Sequence, residues 1–316
     1  MTTASADATG TFARFGLPLA NRRRRLGWTQ ASCYGFSAVA VGFFVLMLGL
    51  FVYQSVPLWQ HTGWRFLADP KWFYRKSAFG SLSMIYGTVA VAVIAMALAV
   101  PVGLGAAVFT SEYLPPRGRL AVKIVIELLA GIPSVVYGLL GILFLRDWVY
   151  GLLTPLDPVS GDTLLTAGIL LGVMVLPTIM TLSDDALQGV SRLQRTAARG
   201  LGLTRAEAVL HVTLPQARPG LIAAALLGLG RALGETIAVF LVVGRQDNRW
   251  PERLLSPQPL AEAGQTITSK LGGSETNIAY GSTLHWAAII ALGLLLLAMV
   301  ALCTLAADRL THRLRR

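Results

Sequence analysis

Six stretches of this chain run for about 20 residues or more with almost no charge, and shorter polar segments separate them. The first has its apolar core at roughly 31–56, inside a run without Asp, Glu, Lys or Arg from Leu26 to Trp64. The second lies within Ser77–Ser111, and the third covers Ile124–Leu145 with Glu127 as its one charge. The fourth is Thr163–Ser183, the fifth about 219–244 with Arg231 and Glu235 inside it, and the sixth lies in Thr276–Ala307. Each is long enough to cross a hydrocarbon layer about 30 Å thick as a helix. The pattern therefore predicts an all-α, polytopic membrane protein with six transmembrane helices. A basic tail at 1–30 precedes a six-helix domain over 31–308, and a short tail follows at 309–316. The polar segment 184–218 falls inside the domain.

Composition agrees. Hydrophobic residues make up 54% of the 316 and charged ones 14%, too few to cover a water-soluble surface of this size. The mean hydropathy is +0.60. Arg22–Arg25 ahead of the first apolar run resembles the start of a signal peptide, but 31–56 is too long for a cleaved segment, so a retained first span is expected. The net charge of +11 would suit nucleic acid, yet the bases sit at the ends of apolar runs, where they set topology, and no nucleic-acid partner is expected. The two tails and alternate connections hold 17 Lys and Arg, against 9 in the other three loops. The richer side faces the cytoplasm, so both termini are expected inside.

The remaining loops, about 57–76, 146–162 and 245–275, then face outward. Pro251, Pro257, Pro259 and Gly264 mark the last as a loop with little regular structure. Trp59, Trp64, Trp72, Phe73 and Tyr74 read as an interfacial belt, with a docking surface for a soluble partner as the alternative. Cys33 and Cys303 fall in or beside apolar runs, so a disulfide framework is not expected.

Segment 184–218 is polar yet reads as two short helices. Gly200-Leu201-Gly202 permits a sharp turn, and Thr204 with Glu207 forms a capping box that starts the second helix. Pro215 and Pro219 are expected to end it before the fifth span. Such a unit suits a lever on the membrane surface, although an ordinary structured loop fits the same pattern. Arg231 and Glu235, at i and i+4, can pair on one helix face, and an Arg fork matches phosphate oxygens. A purely structural ion pair is the alternative. Gly228, Gly230 and Gly234 leave room for a close neighbour. Glu127 fits helix-to-helix hydrogen bonding, and His285 reads as interfacial with no role. Pro101, Pro133 and Pro177 are expected to kink their helices.

The spacing Thr196-Ala197-Ala198, three residues, Gly202, nine residues, Val212, one residue, Leu214-Pro215 resembles the EAA loop of ABC importer permeases. Five of seven positions match, Val212 stands for Ile, and Thr196 replaces the leading Glu. The resemblance implies that Thr196, Ala197, Ala198, Gly202, Val212, Leu214 and Pro215 couple the chain to an ATPase. Thr can hydrogen-bond but cannot form the family's ion pair. The segments Ile126–Gly138 and Gly228–Thr236 resemble the phosphate-importer permeases. The first, together with Phe79-Gly80 ahead of Gly87-Thr88, is closer to the PstC-type subunit than to the PstA type.

That resemblance implies a type I ABC importer permease fold and a substrate path at Arg231, Glu235 and Glu127, with inorganic phosphate as cargo. The chain contains no G-x-x-x-x-G-K-[ST] sequence, so a separate ATPase must supply energy. The implied partners are a second, PstA-like permease subunit, two cytoplasmic ATPase subunits, an extracytoplasmic phosphate-binding protein and the lipids of a bacterial inner membrane. No cofactor, metal or catalytic residue is expected. A permease for molybdate or sulfate is the nearest alternative. A membrane-embedded enzyme would need clustered intramembrane His, Asp, Glu or Ser, which the spans do not supply.

Overall fold

In hydrocarbon every backbone N–H and C=O must find its partner within the chain, and the apolar windows answer by forming helices. The computed structural model describes residues 19–156, 158–251 and 258–314; most of the basic N-terminal tail and Pro257 lie outside them. Among the described residues, six helical segments are long and apolar enough to cross a membrane: Gln30–Thr62, Leu82–Tyr113, Ser134–Leu153, Leu164–Gln188, Arg205–Gly234 and Thr283–Ala306. The chain divides into two compact units between Tyr53 and Gln54. Helix α1 (Leu19–Thr62) passes through that boundary. Within the first unit it exposes Phe36, Phe43, Phe44 and Val45, as a helix that is apolar all round does when lipid is its solvent.

The second unit is organised around α7 (Leu164–Gln188), the most buried of the spans. Helix α3 (Leu82–Val108) lies along it, with Val91, Ala95 and Ala99 packed in the same core as Leu171, Val175 and Ile179. The alanines keep the two backbones close, the usual basis of helix association in a membrane. Helix α10 (Leu214–Gly234) packs on α7 and on α14 (Thr283–Leu314).

Two spans and one loop depart from expectation. The third does not run through Ile124–Leu145. It breaks at Gly131–Pro133 into α4 (Pro116–Ala130) and α5 (Ser134–Leu140), and a π-helical turn at Gly141–Leu145 carries α5 into α6 (Arg146–Leu153). Pro133 has no N–H and pushes Ile132 out of the helical region, so it stops α4 and caps α5 instead of kinking one helix. The crossing segment therefore shifts to Ser134–Leu153, and α4 contains no buried residue.

The fifth span begins earlier and ends earlier than expected. Pro215 and Pro219 do not end the preceding helix: α9 (Arg205–Ala208) runs through a π-helical turn at Val209–Thr213 into α10. The π turn lies immediately ahead of Pro215, whose missing N–H could not have completed a regular α-helical turn there. At the far end α10 stops at Gly234, Glu235 is extended, and α11 (Ile237–Val242) restarts the helix.

The last outward-expected loop is more ordered than its prolines suggest. It holds α12 (Ile267–Leu271) and α13 (Glu275–Ala279), the latter separate from α14. Residues Gln265 to Lys270 are buried, because Gly87 on α3 leaves space for them: a Cβ there would lie 2.2 Å from the Gln265 carbonyl oxygen. The next residue, Thr88, accepts a hydrogen bond from the Ile267 N–H at 3.0 Å. The Gly87-Thr88 signature is thus a packing seat. A two-stranded antiparallel ribbon, Trp72–Phe73 with Ala78–Phe79, is the only sheet among the described residues.

Candidate functional site

The polar segment folds as the pattern predicts, into a helix, a tight turn and a second helix. Helix α8 (Arg192–Gly200) closes with the Leu203 N–H on the Ala198 carbonyl and the Gly202 N–H on the Arg199 carbonyl, at 3.3 and 3.0 Å. This Schellman closure needs a left-handed residue, and Gly202 supplies it at φ +86°. The capping box is present on both sides: the Thr204 N–H donates to Glu207 Oε2 at 2.8 Å, and the Glu207 N–H donates to Thr204 Oγ1 at 3.3 Å.

Of the motif residues, Thr196 and Ala197 are exposed and Ala198 is buried. Thr196 Oγ1 donates to the Arg192 carbonyl at 3.0 Å, a bond within its own helix. Val212 lies in the π turn, and Leu214 packs against a small core of Ala107, Met180, Leu187, Val190 and Ala217. Pro215 opens α10. The motif therefore has an exposed helix at one end and an apolar anchor under the spans at the other.

Arg231 and Glu235 do not pair. The helix ends between them, which removes the i, i+4 geometry, and the Arg231 Nη1 donates instead to Thr178 Oγ1 on α7 at 2.8 Å. Arg231 is exposed, on the same helix face as the exposed Leu227 and Gly234. Of the three glycines, Gly228 does face a close neighbour: a Cβ there would lie 2.6 Å from Ile179. Gly230 and Gly234 face open space within this chain. Glu127, on α4, is exposed and its side chain makes no hydrogen bond or ion pair among the described residues, so the expected helix-to-helix bond is absent within this chain.

Sequence reasoning missed a charged cluster at the other end of the second unit. Lys270 is 3% exposed, 2.7 Å from Asp247 and 3.3 Å from Glu275, and it lies over the Trp72 ring. Glu275 also accepts from Trp72 Nε1 at 2.9 Å and lies 2.9 Å from His285 Nε2. His285 is buried between Tyr74 and Phe79, so it has a structural role and is not interfacial. Lys270, Asp247 and Glu275 line a cavity of about 280 Å³ together with Arg245 and Gln265. The cluster's one readable sign in the sequence was the Thr266-x-x-Ser269 cap that starts α12.

Six apolar spans, with a helix-turn-helix continuing into the fifth, are the architecture of an importer permease subunit. Solved permeases share it: a bacterial alginate ABC transporter aligns with 90% of this chain and 97% of its own at 14% identity and a TM-score of 0.56. A chain of the MetNI methionine ABC transporter aligns with 74% of this chain and 95% of its own at 19% identity and a TM-score of 0.54. The model for the family "Binding-protein-dependent transport system inner membrane component" matches residues 99–316. The phosphate transport system permease protein PstC of Mesorhizobium japonicum is 33% identical, over 86% of this chain and 87% of the relative. PstC 1 of Mycobacterium tuberculosis is 37% identical, over 75% and 74%. The chain belongs to the family of binding-protein-dependent transport system inner membrane components, within its PstC-type branch.

Proposed function

We propose that this chain is the transmembrane permease subunit of an ATP-driven importer and that it passes inorganic phosphate across a bacterial inner membrane. The observation that carries the proposal is a continuous helical segment, Arg205–Gly234, with the coupling turn at one end and Arg231 near the other. At 1.5 Å per residue, about 40 Å separates them, enough to carry a displacement from a membrane surface into the membrane. The PstC likeness over 86% of the chain supports phosphate as cargo over molybdate or sulfate.

In this function α8 docks on a cytoplasmic ATPase through the exposed Thr196 and Ala197, and Gly202, Val212, Leu214 and Pro215 shape and anchor the lever. Both termini and residues 184–218 are cytoplasmic. Arg231, Glu235 and Glu127 face a path that a second, PstA-like permease encloses, and the exposure of Arg231 and Glu127 within this chain, with Glu235 half-buried, supports that arrangement. Two ATPase subunits drive the cycle, an extracytoplasmic phosphate-binding protein delivers the anion, and lipid surrounds the spans. Arg231 presents a planar fork to the anion while Thr178 holds one of its nitrogens, which gives a weak site suited to passage. Reconstitution of the complete assembly tests the proposal. Phosphate-loaded binding protein should stimulate ATP hydrolysis and drive phosphate uptake, and stimulation by sulfate- or molybdate-loaded protein instead would overturn the choice of anion.

A further inference from the structure

The coupling helix lacks the family's leading Glu, yet it is tied to the spans by a carboxylate from elsewhere. Arg195, one residue before Thr196, places Nη1 2.6 Å from Glu112 Oε1. Its Nη2 donates to the Leu187 carbonyl in the last turn of α7. A cation is favoured there because the unpaired carbonyls of a helix end carry negative partial charge. One guanidinium thus joins three elements: α8, the end of α7, and the end of the span that begins with α3. Glu112 is 6% exposed, and its only ionic partner among the described residues is Arg195.

Glu112 reaches this position through a local irregularity. Residues Phe109–Tyr113 form a π-helical turn, which holds an extra residue relative to an α-helical one. One residue corresponds to about 100° of rotation, so a regular helix would carry the Glu112 side chain well away from α8. Among the described residues, two buried side-chain atoms without a hydrogen-bond partner lie at this point, Ser111 Oγ and Arg195 Nε, while Glu112 Oε1 has the Arg195 guanidinium as its one contact. Buried polar groups are normally satisfied, and a site that leaves two unsatisfied stores energy that a second arrangement can release. A neighbouring pair is more fully bonded by contrast. Arg119 Nη2 contacts both oxygens of Asp184 at 2.9 and 3.0 Å, with Gln188 as a further donor.

We propose that Glu112 and Arg195 are positioning residues that form the joint through which the coupling helix moves α3 and α7. The proposal rests on the coupling role given to residues 196–215. Displacing α8 pulls Arg195, and Arg195 carries the π turn and the end of α7 with it.

The test uses the complete reconstituted importer with phosphate-loaded binding protein, and reads phosphate imported per ATP hydrolysed. Glu112→Gln should assemble with the ATPase and hydrolyse ATP, while imported phosphate per ATP falls at least fivefold. The exchange Glu112→Arg with Arg195→Glu should restore at least half of the wild-type ratio. A second readout needs no substrate. In a background lacking Cys33 and Cys303, the labelling rate of Val102→Cys on α3 should change with ATP in the otherwise wild-type chain and stay constant when Glu112→Gln is added. A wild-type ratio in Glu112→Gln, or an assembled exchange variant that stays uncoupled, overturns the joint. If Glu112→Gln does not assemble, the exchange variant decides: recovery upholds the joint, and failure leaves the pair as packing. A wild-type complex that imports no phosphate sinks the phosphate function instead, and the labelling of position 102 still judges the joint.

Discussion

Replacing Gly202 gives a graded test of the lever, because the residue's requirement is a backbone angle and not space. At φ +86° an L-residue with a Cβ pays roughly 1–2 kcal/mol. Nothing lies within 4 Å of a Cβ built there, so Gly202→Ala should cost only that torsional amount, partly offset by a stiffer unfolded chain. A net effect of about 1 kcal/mol depletes the closed turn about fivefold. Asn visits the left-handed region far more readily, so Gly202→Asn should stay near wild type. Gly202→Pro fixes φ near −65°, about 150° from the observed angle, and removes the N–H that closes on Arg199 at 3.0 Å. A cost of about 3 kcal/mol or more follows, which depletes the turn by more than roughly 100-fold. The assay is phosphate uptake by the reconstituted complex, with membrane insertion and ATPase co-purification measured on the same samples. Uptake should fall in the order Gly, Asn, Ala, Pro while insertion is unchanged. Retained uptake in the Pro variant, or an Asn variant no better than Ala, would refute the reasoning.

Other perturbations bear on the path, the topology and the charged cluster. Arg231→Gln should lower phosphate uptake at least tenfold in an assembled complex, Arg231→Lys should rescue it in part, and Thr178→Val should cost only a few-fold, since it removes one hydrogen bond to a retained cation. Normal uptake in Arg231→Gln would remove the residue from the path. A membrane-impermeant thiol reagent should label Gln258→Cys from outside and leave Arg205→Cys untouched; the opposite pattern inverts the topology. Thr196→Glu should preserve or strengthen ATPase co-purification, because the Thr196 side chain is exposed and bonds only its own helix; a clear loss would show that the helix docks by another face. Burial pushes the Glu275 carboxyl up, but bonds from Trp72 and Lys270, with His285 adjacent, outweigh it and hold the pKa below the ordinary value. A folded pKa below the unfolded one, about 4.3, stabilises above that pH and is lost as pH falls through the lower value. Glu275→Gln should therefore lower Tm at pH 7 and lose its effect in stronger acid; a pH-independent difference would contradict this.

The parts of the fold legible in sequence were those governed by local chemistry. Charge-free windows gave the number of spans and placed the first, second, fourth and sixth, because lipid admits few unpaired charges whatever the packing, while the third and fifth were displaced. The turn at Gly202 and the cap at Thr204 were legible because one needs a left-handed backbone and the other an N-cap oxygen, and both requirements act within a few residues. The break at Pro133 was also local in origin, yet it was read as a kink. Proline inside a span is compatible with continuation, as Pro101 and Pro177 show within α3 and α7. What differs at Pro133 is that Gly131-Ile132 precede it and α4 ends without a buried face to hold it straight.

The geometry around the candidate site residues was not legible in the sequence. Placing Arg231 and Glu235 on one helix face assumed that the helix continued past Gly234, and no side chain in that stretch reports the end. The bond to Thr178 depends on α10 lying against α7, which Gly228 makes possible by admitting Ile179. Spacing can state which residues share a face, but it cannot state which neighbouring helix that face meets. The same limit hid the Lys270 cluster. Its members come from the ribbon at Trp72, the loop at Asp247, α12, α13 and the first turn of α14, more than 200 residues apart along the chain. No local pattern marks Lys270 for burial; its two carboxylates and the Trp72 ring make burial tolerable, and each arrives from a separate segment. Arg195 makes the same argument at the coupling end. In sequence it is one more base in a polar helix, and only the π turn that rotates Glu112 into reach gives it a partner.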